Sequence, residues 1–171
     1  MQTAREMIIE SFLELLANQH FDEISVKDIV QKAEVSRSTF YLHFTDKYQL
    51  MTDVRTKLNN QFLVFYTESL QETPVTYEIC CHVFTYRSFY RQEFSTANAI
   101  QSLSNQLAVR LLEIFNDPDY AIFAGYGTIG YLSVWVKDDF LVSPGEAAEK
   151  LMKIGLTDWT ENLSMTRDEI R

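Results

Sequence analysis

The chain has 171 residues, is 46% hydrophobic and 13% aromatic, and carries a net charge of −9. That apolar content excludes a disordered chain. Three prolines, five glycines and no alternating run or Asn-Gly turn exclude a β-rich one. The bulk acidity predicts weak non-specific affinity for nucleic acid, so any such contact has to be local.

Residues 1–20 are predicted to form an amphipathic helix. Thr3 and Glu6 make a capping box, and Ile8, Ile9, Phe12, Leu13, Leu15 and Leu16 supply a broad apolar face. Phe21 and Ile24 are expected to pack beneath the next helix. Ser25 and Asp28 form a second capping box, followed by an apolar stripe of Val26, Ile29, Val30 and Ala33. Glu34-Val35 is the turn, and Ser36 caps a further helix. Phe40 and Phe44, four residues apart, share the face that anchors that helix in the core. Arg37, Ser38 and Tyr41 are left outward, with Thr39 and His43 to the side. These are side chains of the kind that read base edges and phosphates. Thr45 or Asp46 caps the next helix. Lys47 falls in its first turn, where a cation is mildly unfavourable for the dipole. That position points to a contact with a phosphate.

Long helical stretches follow. Lys47 to about Glu72 places Leu50, Val54, Leu58, Phe62 and Phe65 near one face, and Pro74 marks the break. Val75 to Phe94 is dense in aromatics, and Thr96 to Phe115 has Ile100, Leu103, Leu107 and Leu111 at helical spacing. Pro118 opens a tyrosine-rich helix. Its uncharged run from Tyr120 to Val136 is shorter than the about 20 residues of a membrane span, so a buried soluble helix is expected and no membrane contact. The small residues Ala121, Ala124, Gly125 and Thr128 allow close helix approach, and with Ile129, Leu132 and Trp135 they are expected to line a subunit seam. Ser143-Pro144-Gly145-Glu146 is a clear start signal for the last helix, predicted to bury Ala147, Leu151, Ile154, Leu156 and Trp159.

Catalytic and metal chemistry find no support. The histidines His20, His43 and His82 are far apart in sequence, and no HExxH, CxxC, phosphate loop or G-x-S-x-G element is present. The two cysteines, Cys80 and Cys81, are adjacent and poorly placed to bridge each other in a helix. They fit reduced thiols in a cytoplasmic protein. The N-terminal helix lacks the pattern of a secretory leader. No cofactor is expected.

The segment VSRSTFYLHFTDKYQLM resembles the helix-turn-helix signature of the tetracycline-repressor (TetR) family of bacterial regulators. Thr39, Phe40, Tyr41, His43, Phe44, Lys47 and Leu50 match its TFYxHFxxKxxL pattern. The resemblance is specific over about the first fifty residues and general beyond them. Two positions depart from it. Glu34 stands where the family usually has Gly, and Leu42 where a polar residue is common. The segment is not basic either, since residues 1–50 hold five cations and eight anions. From Val35 to Phe44, however, there is one Arg, one His and no acid.

The resemblance implies an all-α protein: a three-helix helix-turn-helix DNA-binding domain over residues 1–46, then a helical regulatory and dimerisation bundle over 47–171. It implies a homodimeric transcriptional regulator, a repressor on a palindromic operator in double-stranded DNA, released by a small apolar effector. Lys27, Ser36, Arg37, Ser38, Thr39, Tyr41, Leu42, His43 and Lys47 are the candidate DNA contacts. Phe62, Phe65, Tyr66, Tyr77, Cys81, Phe84, Phe89, Leu103 and Trp135 are candidate pocket residues. Leu151, Ile154 and Trp159 join Ala121, Gly125, Thr128, Ile129, Leu132 and Trp135 as the candidate dimer face. The competing expectation is a helical carrier of apolar ligands, or a protein-interaction co-regulator with weak DNA affinity.

Overall fold

The computed structural model describes residues 2–68 and 73–157. Among them the protein is all-helical, with no strand. The elements are α1 (Ala4–Leu16), a 3₁₀ turn (Phe21–Glu23), α2 (Val26–Lys32), α3 (Arg37–His43), α4 (Lys47–Glu68), α5 (Val75–Thr85), α6 (Arg87–Glu93), α7 (Ala97–Phe115), α8 (Pro118–Lys137) and α9 (Pro144–Gly155).

The caps define the helix starts. Thr3 with Glu6, Ser25 with Asp28 and Ser143 with Glu146 all form reciprocal capping boxes. At α4 the cap is Asp46: its carboxylate accepts from the amides of Tyr48 at 2.9 Å and Gln49 at 2.8 Å. Asp117 caps α8 ahead of Pro118. The aromatic stretch expected as one helix is two. It breaks at Tyr86 (φ −101°, ψ 32°), between α5 and α6.

α1, α2 and α3 enclose a small core of Ile8, Phe12, Ile29, Phe40 and Phe44, all essentially inaccessible to water. Beyond it, α7 and α8 pack along their lengths, α5 lies on α9, and α4 contacts both α5 and α7. α7 and α8 approach closely at Gly125, where an added Cβ would sit 2.9 Å from the Ala108 backbone nitrogen. Asp139 and Phe140 both take left-handed backbone angles (φ 55° and 58°) to turn the chain after α8. The turn sets Phe140 edge-on to Trp135 and Phe84, while the Trp135 Nε1–H donates to the Val142 carbonyl at 3.0 Å.

The last helix departs from expectation. Ala147 and Leu151 are buried, but Ile154 and Leu156 face solvent. Trp159 lies outside the described residues. No helix among those described is long and apolar enough to cross a membrane. No cluster of metal-ligating side chains occurs among them either.

Candidate nucleic-acid interface

α2 and α3 are two short helices joined by a tight turn, and the turn is built on a strained residue. Glu34 has φ 53°, the left-handed region that favours glycine. The Val35 amide closes the turn onto the Val30 carbonyl at 3.1 Å. Phe40 and Phe44 fix the inner side of α3, with Phe40 fully buried and Phe44 nearly so. Helical geometry then puts the intervening side chains outside. Tyr41 is half-exposed, and Leu42 is 81% exposed at the crest of the helix. Arg37, Ser38 and His43 are also exposed, while Thr39 is half-buried.

The face is partly organised by its own contacts. The Arg37 guanidinium sits 5.9 Å from the centre of the Tyr41 ring and donates to its hydroxyl at 3.4 Å. Ser36 caps α3 by accepting from the Thr39 amide at 3.0 Å. Its hydroxyl also meets those of Ser38 at 2.7 Å and Thr39 at 2.8 Å. The result is a hydroxyl-rich leading end, an Arg–Tyr pair and a projecting leucine. No acidic side chain lies on α3 itself.

Residues 8–54 match the family of bacterial regulatory proteins described as the tetR family. The fold agrees over almost the whole chain. A transcriptional regulator (TerR/AcrR family) from Aquifex aeolicus VF5 superposes with a TM-score of 0.69, covering 87% of this chain and 95% of that one at 19% identity. Residues 8–54 thus carry the match to the tetR family, and the chain shares the fold of this regulator. A second tetR-family fold, from Bordetella parapertussis 12822, gives a TM-score of 0.61 at 20% identity, covering 94% of this chain and 98% of that one.

Two sequence relatives match over a short stretch. The uncharacterized HTH-type transcriptional regulators YxbF and YvdT of Bacillus subtilis (strain 168) are 36% and 34% identical over 53 residues, 31% of this chain. The chain spans 14% and 27% of the length of these curated relatives.

Within this tetR-family fold, the other predicted site residues fall in different places. Lys27 is exposed at the start of α2. Lys47 is not free. Its ammonium donates to the carbonyls of Phe21 at 3.0 Å, Asp22 at 2.9 Å and Ile24 at 2.8 Å. Spacing alone could not show these partners, which lie more than twenty residues upstream.

The candidate pocket residues do not surround one cavity. Phe62, Phe89, Leu103 and Trp135 are solid core, and Tyr66 is directed to Thr128. Phe84 stacks on Trp135. Phe65, Tyr77 and Cys81 do come together, lining an open cleft of about 380 Å³ with Glu78, His82 and Tyr86. His82, which sequence reasoning passed over, is central to that region. Its Nε2 meets the Tyr90 hydroxyl at 3.0 Å, and burial pushes its pKa down to about 4 against the opposing pull of the Leu58 carbonyl. Burial likewise pushes the Cys80 thiol up to about 12, which suits an inert core residue.

The candidate dimer face requires a correction. Ala121, Gly125, Ile129, Leu132, Trp135 and Leu151 are buried within the chain's own bundle, and Thr128 is half-buried beside Tyr66. Only Ile154 of the described set is exposed. α8 is apolar around most of its circumference, so periodicity alone does not say which side meets its own chain. The opposite side carries Ile122, Tyr126 and Val134 outward, with open space above Gly130.

Proposed function

We propose that this chain is a DNA-binding transcriptional repressor that acts as a homodimer on a palindromic operator. One observation carries the reading: α3 stands on two buried phenylalanines with Arg37, Ser38, Tyr41, Leu42 and His43 turned outward. A helix so held can enter the major groove, and twofold protein symmetry would be mirrored in the half-sites. Residues 1–46 serve as the reading head and 47–171 as the regulatory and dimerising part. The net charge of −9 keeps non-specific attraction low, which leaves discrimination to the contact face.

For the second copy we propose the outward row of α8. Ile122, Tyr126, Gly130 and Val134 recur every fourth residue, forming an apolar strip that a twofold partner can match with itself. An apolar effector would enter the cleft of Phe65, Tyr77, Cys81 and Tyr86, beside the α4 helix that also carries the reading head. It would release DNA by binding better to the state with the wrong head spacing.

The test is selection from random duplex DNA with the purified chain, together with sedimentation. A palindromic winner and a salt-resistant dimer are expected. Tyr41→Ala should weaken operator binding by about 1–3 kcal/mol without unfolding the chain. Absence of any selected sequence, or equal affinity of Tyr41→Ala and wild type, rules the reading out.

A further inference from the structure

An ammonium group offers three donors and no acceptor. At Lys47 all three are spent on the carbonyls of Phe21, Asp22 and Ile24, at 2.8–3.0 Å. The charge also lies 4.8 Å from the centre of the Phe21 ring and 5.6 Å from that of Tyr48. Phe21 and Tyr48 pack edge to face. The carbonyls of Phe21 and Asp22 belong to the 3₁₀ turn between α1 and α2, and that of Ile24 to its exit. Lys47 is the first residue of α4. One side chain therefore joins the connection that precedes α2 to the helix that follows α3.

We infer that Lys47 is a positioning residue: it clasps the α1–α2 connection to the start of α4 and raises DNA affinity by holding the reading head, without touching phosphate. The inference rests on the DNA-binding reading above. A phosphate contact would require the ammonium to leave three carbonyls at once. The clasp instead keeps α2 and α3 seated between two fixed ends. Nearby polar ties act in the same direction. Arg5 of α1 pairs with Asp53 of α4 at 3.0 Å, and Arg55 of α4 forks onto Glu93 of α6 at 2.7 and 2.8 Å.

The two roles separate in the salt dependence of binding. Each phosphate contact contributes about 0.9 to the slope of log affinity against log salt. Lys47→Met, compared with wild type on the selected operator at a temperature where both are folded by circular dichroism, should bind about ten- to a hundredfold more weakly with the slope unchanged. A slope reduced by about 0.9 identifies a phosphate contact and overturns the inference. Unchanged affinity in the folded variant makes the role one of stability alone and also overturns it.

If Lys47→Met does not fold, amine acetylation of the wild type decides. Lys47 should be protected both free and on DNA. Reactivity in the free protein with protection on DNA overturns the clasp. A wild type that selects no DNA fails the regulator reading itself. A protected Lys47 would then remain as a structural clasp only, and its role in affinity would fall.

Discussion

Leu42 is 81% exposed on α3, next to the Arg37–Tyr41 pair. In the proposed complex an aliphatic crest in the major groove meets the C5-methyl of thymine, the apolar feature that groove presents. Replacing the facing thymine by deoxyuridine removes one methyl, worth about 0.8 kcal/mol or roughly fourfold in affinity. That loss should appear with wild type and vanish with Leu42→Ala; equal losses in both proteins would remove Leu42 from base reading. Glu34 gives a second residue-scale expectation, since its side chain sits at φ 53° where glycine carries no steric cost. Glu34→Gly should raise stability by roughly 0.5–1 kcal/mol, the relief of strain being partly offset by the freer unfolded chain. A lower denaturant midpoint would show that Glu34 makes a compensating contact.

Among the described elements, α7 and α8 form the most extensive pair, and Gly125 lets them approach closely. Alanine has the higher helix propensity by about 1 kcal/mol. Its Cβ, however, would lie 2.9 Å from the Ala108 nitrogen and 3.1 Å from the Ala108 Cα, which are backbone and cannot turn aside. Overpacking costs about 1–3 kcal/mol and decides the sign. Gly125→Ala should therefore lower stability by about 1 kcal/mol in denaturant unfolding, and a gain would show that the two helices slide apart freely. Helix starts were legible from sequence because caps are local: Thr3, Ser25, Ser36, Pro118 and Ser143 each mark a beginning that the structure keeps. The small residues of α8 also mark a close approach in the sequence itself. Gly125 meets α7 and Thr128 meets Tyr66 of α4, both of the same chain, and choosing among possible partners needs tertiary information. The break at Tyr86 leaves no sequence signal, because no proline or glycine stands there. Lys47 was placed correctly on α4, but its acceptors are main-chain carbonyls, which leave no mark in the residue pattern.

For the whole molecule, the buried His82 links stability to pH. Its folded pKa, about 4, lies below the ordinary value of 6.5. Between those values the unfolded chain takes up a proton that the native one refuses. The contribution is complete above pH 6.5 and is lost as pH falls toward 4, by roughly 3 kcal/mol across that window. Thermal unfolding at a series of pH values should show the decline, and His82→Gln should flatten it. An unchanged decline in the variant would assign it to the carboxylates.

The first nine residues of α4 hold three anchors: Lys47 to the 3₁₀ turn, Asp53 to α1 and Arg55 to α6. Together they make a yoke that ties the head and α6 to the start of α4. A bend in α4 would then fall beyond Arg55, for example at Leu58. At 1.5 Å per residue the arm from Leu58 back to Lys47 is roughly 16 Å long, so a swing of about 10° carries its tip by about 3 Å. Two such arms moving oppositely would take a pair of half-sites out of register without deforming either head.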